Sequence, residues 1–299
     1  VMSLSMPMTT VEPIMPLPDL IRYFNTQLHR PRHSKEGGRF ALAGGQVQAH
    51  FKGRVFGTQF QPQVRRGGHI VCHEAFLREL RPDGEEISTQ ALFEQSPEHE
   101  LIQLDRMAHD LHALNFVPQH DQQNSLLALN FSPESALALQ GDEGKVFDTV
   151  LSSCGLKAER VVLEMIDTGF DDCSELAAAI ARYRAKGYQV ALDNFGRYSW
   201  DLERLRTLAP DIVKLDRCLI GHAGHLSLAK QVLVDLISEI QGLGMVVVSQ
   251  CIENAQQLQA AMESSADWFQ GYFIARPASS CQPPNACLAH APKTRPGRR

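Results

Sequence analysis

The chain has 299 residues, 43% hydrophobic and 21% charged, ordinary values for a globular protein with a substantial core. A formal net charge of -5 and a pI near 6.2 leave no global basic field to hold nucleic acid or an anionic membrane surface, so neither is an expected partner. The apolar runs are too short to span a bilayer, and no signal-peptide pattern opens the chain. Seven cysteines, with no C-x-x-C pair, sit partly in apolar runs such as IVCHEAF, KLDRCLI and VVVSQCI; they read as reduced thiols of a cytoplasmic protein.

In chain order, residues 1–45 read as a flexible lead with one short amphipathic helix in DLIRYFNTQLHR, followed by a basic loop, RPRHSKEGG. The Pro-rich, basic stretch 279–299 is expected to be a disordered tail. Between them, from 46 to 278, β-branched runs alternate with helical patterns. Strands are expected at TQFQPQV, HIVCHEAF, SLLALNF, RVVLEM, YQVALD, DIVKLD, GMVVVSQ and within WFQGYFI. Helices are expected at 98–113, CSELAAAIARYRAKG, WDLERLRTLA and AKQVLVDLISEIQGLG. Such alternation predicts a parallel sheet closed into a (β/α) barrel. An open doubly wound sheet is the alternative, but no glycine-rich phosphate loop follows an early strand.

Six of the apolar runs end on a polar residue: Glu74, Asn130, Glu164, Asp193, Lys214 and Gln250. In a parallel barrel these strand ends share one face, where barrel enzymes build their sites. Any one of them alone is more simply a helix cap or a surface residue. Together they form a hard, oxygen-rich set, Glu74, Asn130, Glu164 and Asp193, suited to Mg2+ or Mn2+, with Lys214 to offset carboxylate charge or hold a phosphate oxygen.

The ordered series FQPQV, HEAFLR, LNFS, VLEMID, ALDNFG, VKLD, SQCIEN and QGYFIARP, spanning about 58–278, resembles the EAL domain, a bacterial family that hydrolyses cyclic di-GMP. The resemblance implies a modified TIM (β/α)8 barrel whose first strand runs antiparallel, with cyclic di-GMP lying across the C-terminal face. The ligand-binding set it implies is Gln61, Glu74, Phe76, Leu77, Arg78, Asn130, Asp193, Lys214, Gln270 and Pro277. Glu74, Asn130, Glu164 and Asp193 match the ligands of a first metal ion, so Mg2+, Mn2+ or Ca2+ is the implied cofactor, though a receptor would not require one.

The departures from the pattern are concentrated. Active members carry a second aspartate and a glutamate for a second metal, where this chain has Asn194 and Gln250; only the last acid of that later segment, Glu253, is kept. Of the residues the pattern marks as catalytic, Lys214 and Glu253 therefore remain, while Gln250 is degenerate. A two-metal phosphodiesterase activates a bridging water, and amides at both positions should leave the second metal unbound. The loop after Asp193 reads DNFGRYSWD, with Tyr198 where the pattern has a second glycine, which should stiffen it or re-aim it. Asp167 stands at the acid that steadies this loop.

Three readings follow. The first is a catalytically impaired domain that binds cyclic di-GMP and reports it to a protein partner, with Gln61, Arg78, Lys214, Gln270 and Pro277 retaining the ligand pocket. The second is an interaction module that no longer binds nucleotide. The third is a slow phosphodiesterase in which Glu253 or a single metal compensates.

Overall fold

A computed structural model describes residues 15–28, 38–81, 86–87, 98–120, 125–131, 142–166, 173–223 and 227–285. Asp167, most of the basic loop, the first residues of the lead and the last of the tail lie outside the described residues.

Among the described residues eleven strands form one sheet: β1 (Arg39–Ala43), β2 (Gln46–Phe51), β3 (Arg54–Arg65), β4 (Ile70–Leu80), β5 (Glu86–Ile87), β6 (Leu126–Phe131), β7 (Val161–Ile166), β8 (Gln189–Phe195), β9 (Ile212–Leu215), β10 (Val246–Ser249) and β11 (Trp268–Phe269). Pairing of β3 with both β4 and β11 closes eight of them into a barrel, in the order β3-β4-β6-β7-β8-β9-β10-β11. All neighbours from β4 round to β11 are parallel, whereas β3 is antiparallel to both of its neighbours. The expected closed barrel with an antiparallel first strand is therefore the fold.

Eight described helices accompany the sheet: α1 (Leu17–Leu28), α2 (Glu98–His120), α3 (Asp142–Ser153), α4 (Ser174–Ala185), α5 (Leu202–Leu208), α6 (Arg217–Ala223), α7 (Ser227–Gly242) and α8 (Ala255–Glu263). Among the described residues no helix is long and apolar enough to cross a membrane. Local chemistry sets several ends. The Asp201 carboxylate accepts from the Arg204 N–H to start α5, and the Asn254 side chain accepts from the Gln257 N–H to start α8. Ile180 and Tyr183 of α4 and Leu233, Ile237 and Ile240 of α7 are buried in the core outside the barrel wall.

The described parts of the lead and the tail are tied to the body more than the sequence suggests. Beyond the expected helix, the lead contributes β1, which pairs with β2 as an antiparallel hairpin around Gly44 and Gly45, both at positive φ. Leu20 and Phe24 of α1 are buried, each such burial contributing roughly 1.5–3 kcal/mol. The Asn25 amide brackets Phe40, accepting from its N–H at 2.7 Å and donating to its carbonyl at 2.9 Å. The disordered tail expected from 279 requires correction over its first seven residues. The Cys281 N–H donates to Gln119 Oε1 at 2.8 Å, and the Asn285 N–H donates to the Ile274 carbonyl at 2.7 Å. Composition missed this because these backbone groups find partners on the body of the fold rather than in local periodicity.

Candidate functional site

The site follows from strand alternation. One residue from each of seven barrel strands forms an apolar layer inside the barrel: Cys72, Ala128, Val162, Ala191, Ile212, Val248 and Trp268. Inward-facing side chains recur every second residue, so the next layer toward the C-terminal ends is Glu74, Asn130, Glu164, Asp193, Lys214, Gln250 and Gln270. Gln61 of β3 pairs with Glu74 and completes the ring. The polar residues expected to converge do so because each sits two positions above a residue of the apolar floor.

Lys214, 1% exposed, stands at the centre. Its ammonium donates to Glu74 Oε2 at 2.8 Å and Glu164 Oε2 at 2.5 Å, and lies 4.0 Å from Asp193 Oδ2. Amides cap the remaining carboxylate oxygens. Glu74 also accepts from Gln270 at 2.7 Å and from Asn130 at 3.1 Å, Glu164 from Gln63 at 3.2 Å, and Asp193 Oδ1 from Gln250 at 2.6 Å. The Asn194 N–H donates to the same Asp193 oxygen at 2.7 Å. Gln270 in turn donates to Gln61 Oε1 at 3.0 Å, and Gln61 donates to the Ala275 carbonyl at 2.8 Å.

The electrostatics follow from three buried acids around one cation. Burial, reinforced by the neighbouring Glu74 charge, pushes Glu164 up to about 8 despite Lys214. Burial also raises Asp193, with Lys214 opposing and Glu74 adding to the shift. Burial acts the same way on Glu74, but the Lys214 charge and hydrogen bonds from Lys214, Gln270 and Asn130 outweigh it and hold Glu74 below the usual carboxylate range. For Lys214, burial disfavours the charge, yet the three carboxylates hold it well above its ordinary value.

This arrangement bears on the implied metals. Among the described residues no group of three His, Cys, Asp or Glu side chains stands ready to hold a metal ion, so the four-ligand cage expected from the sequence is not assembled as it stands. The Lys214 ammonium occupies the position between its carboxylates. The donor set nevertheless suits one divalent ion, since Glu74, Glu164 and Asp193 present hard oxygen donors that a bound cation would favour in their charged forms. It does not fit a second, because the Gln250 amide nitrogen fills one side of Asp193 and Asn194 contributes no carboxylate.

Other expected site residues fall on the walls. β3 and β4 continue past Gln61 and Glu74 as a ribbon beyond the ring, with Gly57 paired to Arg78. Phe76 and Arg78 share the Glu74 face of β4, and the Arg78 guanidinium lies 5.3 Å from the Phe76 ring centroid while donating to Gln59 Oε1 at 3.0 Å. The Leu77 side chain alternates to the opposite face of β4 and is buried in the outer core at 2% exposure. Pro277 is half-buried next to Ala278, whose N–H and carbonyl bond Phe60 of β3. Glu253 is exposed outside the ring; its N–H donates to Gln257 Oε1, and the structure does not bring its carboxylate into the cluster.

Sequence reasoning missed Gln63 and His109. Gln63 lies two residues beyond Gln61 on the same face of β3, an alternation visible in QPQ. His109 of α2 donates to the Asn130 carbonyl at 2.8 Å and stacks on Phe131 at 4.2 Å, fixing the strand that carries Asn130. No local sequence signal marks that contact.

Backbone geometry at the mouth is specific. Asn194 and Cys251 each take φ of 59°, in the left-handed region; asparagine tolerates it better than most residues. Asn194 lies within a register shift between β8 and β9, which turns the chain out of the barrel directly after Asp193. Gly271, at φ 155°, lets Ile252 approach so closely that an added Cβ would lie 2.2 Å from the Ile252 N and O atoms. Gly271→Ala is therefore expected to destabilise the fold by about 3 kcal/mol or more, or prevent folding, as a urea melt against the parent chain would read.

Residues 45–277 match the model of the EAL domain family. Among curated proteins, the chain is 30% identical over 156 residues to the uncharacterized EAL-domain protein YkuI of Bacillus subtilis, covering 51% of this chain and 38% of that protein. It is 24% identical over 210 residues to cyclic di-GMP phosphodiesterase PdeF of Escherichia coli, covering 69% and 28%. The chain thus spans less than half the length of these two relatives. Among solved structures, a standalone EAL protein of Vibrio cholerae O395 in its c-di-GMP-bound form superposes with a TM-score of 0.69 at 21% identity, covering 79% of this chain and 98% of that one. YkuI in complex with c-di-GMP and calcium superposes with a TM-score of 0.66 at 25% identity, covering 78% and 58%. With the barrel, the ring of strand-end residues and a family match across most of its length, this chain belongs to the EAL domain family.

Proposed function

We propose that this chain is a cyclic di-GMP receptor in which phosphodiesterase chemistry is impaired, and that it reports the ligand to a protein partner. The observation that carries the reading is the Gln250 amide on Asp193 Oδ1 at 2.6 Å, with Asn194 beside it. A carboxylate oxygen that would bridge two metals instead accepts two neutral N–H donors. Two-metal hydrolysis needs both ions to form the nucleophile and to stabilise the leaving oxygen. A pocket that keeps its ligand-facing groups without that machinery is suited to binding.

The ligand-facing groups are Gln61, Arg78, Lys214, Gln270 and Pro277. The Arg78 guanidinium, on the Glu74 face of β4, is the cationic group suited to a phosphodiester oxygen, where charge-assisted bonds are strong. One divalent ion at Glu74, Asn130, Glu164 and Asp193 would draw these carboxyls into their charged forms and support a ligand phosphate, with Lys214 displaced from the centre. Binding without metal is also accommodated, since Lys214 already balances part of that charge. Incubation of the chain with cyclic di-GMP and Mn2+, followed by chromatography for the linear dinucleotide, is expected to return intact ligand. Turnover within an order of magnitude of active family members, measured side by side, would contradict the reading.

A further inference from the structure

The cluster leaves a charge problem on one side of the mouth. Lys214 is engaged by Glu74 and Glu164, and Asp193 retains a carboxylate near the opening, at 14% side-chain exposure. A phosphate approaching Asn194 and Gln250 would meet that carboxylate where the two neighbouring side chains are neutral amides. Two exposed arginines border this region, Arg197 on the loop after β8 and Arg217 at the start of α6.

Hydrogen bonds hold the two segments together. The Arg197 N–H donates to the Asn194 carbonyl at 3.1 Å, and the Asp216 N–H, next to Arg217, donates to the Phe195 carbonyl at 2.8 Å. Gly196 packs against α6, since a Cβ there would lie 2.7 Å from Leu219. Among the described residues Arg217 makes no hydrogen bond or ion pair, and the Arg197 guanidinium has only the Tyr198 ring, 5.7 Å away. Their fields overlap on the rim. A hydrogen bond to Asp216 raises the Cys218 thiol, and both Arg217 and Arg197 oppose that shift. Burial pushes Cys251, adjacent to Gln250, up to about 11, with Asp193 adding to the shift while Lys214 and Arg217 oppose it.

We propose that Arg197 and Arg217 form a second phosphate clamp, supplying positive charge where Asn194 and Gln250 stand. The inference rests on the receptor reading above. Barrel order sets β8 and β9, which precede the two arginines, across the mouth from β3 and β4, which carry Arg78. A cyclic dinucleotide presents two phosphodiesters, so guanidiniums on opposite walls match a ligand laid across the mouth. Guanidinium is the group suited to this, being permanently charged and able to bond two phosphoryl oxygens at once.

Calorimetric titration of the full chain with cyclic di-GMP tests the clamp in the parent, in R197A/R217A and in R197K/R217K. The alanine pair is expected to weaken binding at least about tenfold and to flatten its salt dependence, with the lysine pair recovering part of the loss. Both side chains are exposed, so melting temperatures should stay within a degree or two of the parent. Parent binding with an alanine pair that binds within about twofold would overturn the clamp and leave the receptor reading intact. No binding by the parent at tens of micromolar would overturn both.

Discussion

Asn194→Asp combined with Gln250→Glu is expected to create measurable Mn2+ affinity at the second metal position, at least about tenfold tighter than any the parent shows. A unit charge pair about 4 Å apart is worth roughly 4 kcal/mol at an effective dielectric near 20, and a divalent ion would gain from two new carboxylates. Desolvation offsets most of this, so a net gain of about 1–3 kcal/mol is the reasonable expectation. Without metal the same variant should melt lower than the parent. The Gln250 amide now donates to Asp193, whereas a glutamate there would face it with like charge. Mn2+ should restore the lost stability, so calorimetry and a melting curve read the same coupling in two ways. A double variant that binds Mn2+ no better than the parent would show that the two amides are not what keeps the second ion out. Each single change should give less than the pair, because one new carboxylate leaves the site short of a ligand.

Lys214→Met is expected to cost about 3–5 kcal/mol, the usual penalty for stranding a buried charge by removing its partner. Here one ammonium serves Glu74 and Glu164 directly and Asp193 at 4.0 Å, so its loss leaves three buried acids without their common counterion. For a chain of this size that corresponds to a fall in melting temperature of the order of 10 °C. Millimolar Ca2+ or Mg2+ should recover part of the loss by occupying the position the ammonium left, while K+ at equal ionic strength should not. A variant that melts with the parent would mean that the acids protonate at little cost and that Lys214 is not what organises the ring.

Much of this site was legible in the sequence because one simple rule generates it. In each parallel strand an inward apolar residue is followed two positions later by a polar one, as in Cys72 and Glu74 or Ile212 and Lys214, so the convergence could be read from alternation alone. The antiparallel first strand was legible only through the family resemblance. Leu77 entered the expected set because a motif carries its neighbours along with it, whereas alternation sends its side chain to the outer core. Glu253 entered it for a related reason: its segment resembles a catalytic one, while in the fold the chain has already left the strand and the residue is exposed. The Asn25 bracket on Phe40 and the His109 contact to Asn130 join segments 15 and 21 residues apart, and no composition or periodicity encodes such pairings. The hydrogen bonds that tie down the start of the tail were hidden in the same way.

The receptor reading rests on a contrast in side-chain chemistry. Glu74, Asn130, Glu164 and Asp193 would supply oxygen donors to one metal ion, while Asn194 and Gln250 present amides where a second would need acids. Equilibrium dialysis of the chain with cyclic di-GMP and Mn2+, with the nucleotide in both chambers quantified as intact or linear, tests that account most directly. It should retain intact cyclic di-GMP in the protein chamber at tens of micromolar protein. Equal distribution across the membrane, or accumulation of the linear dinucleotide, would contradict it.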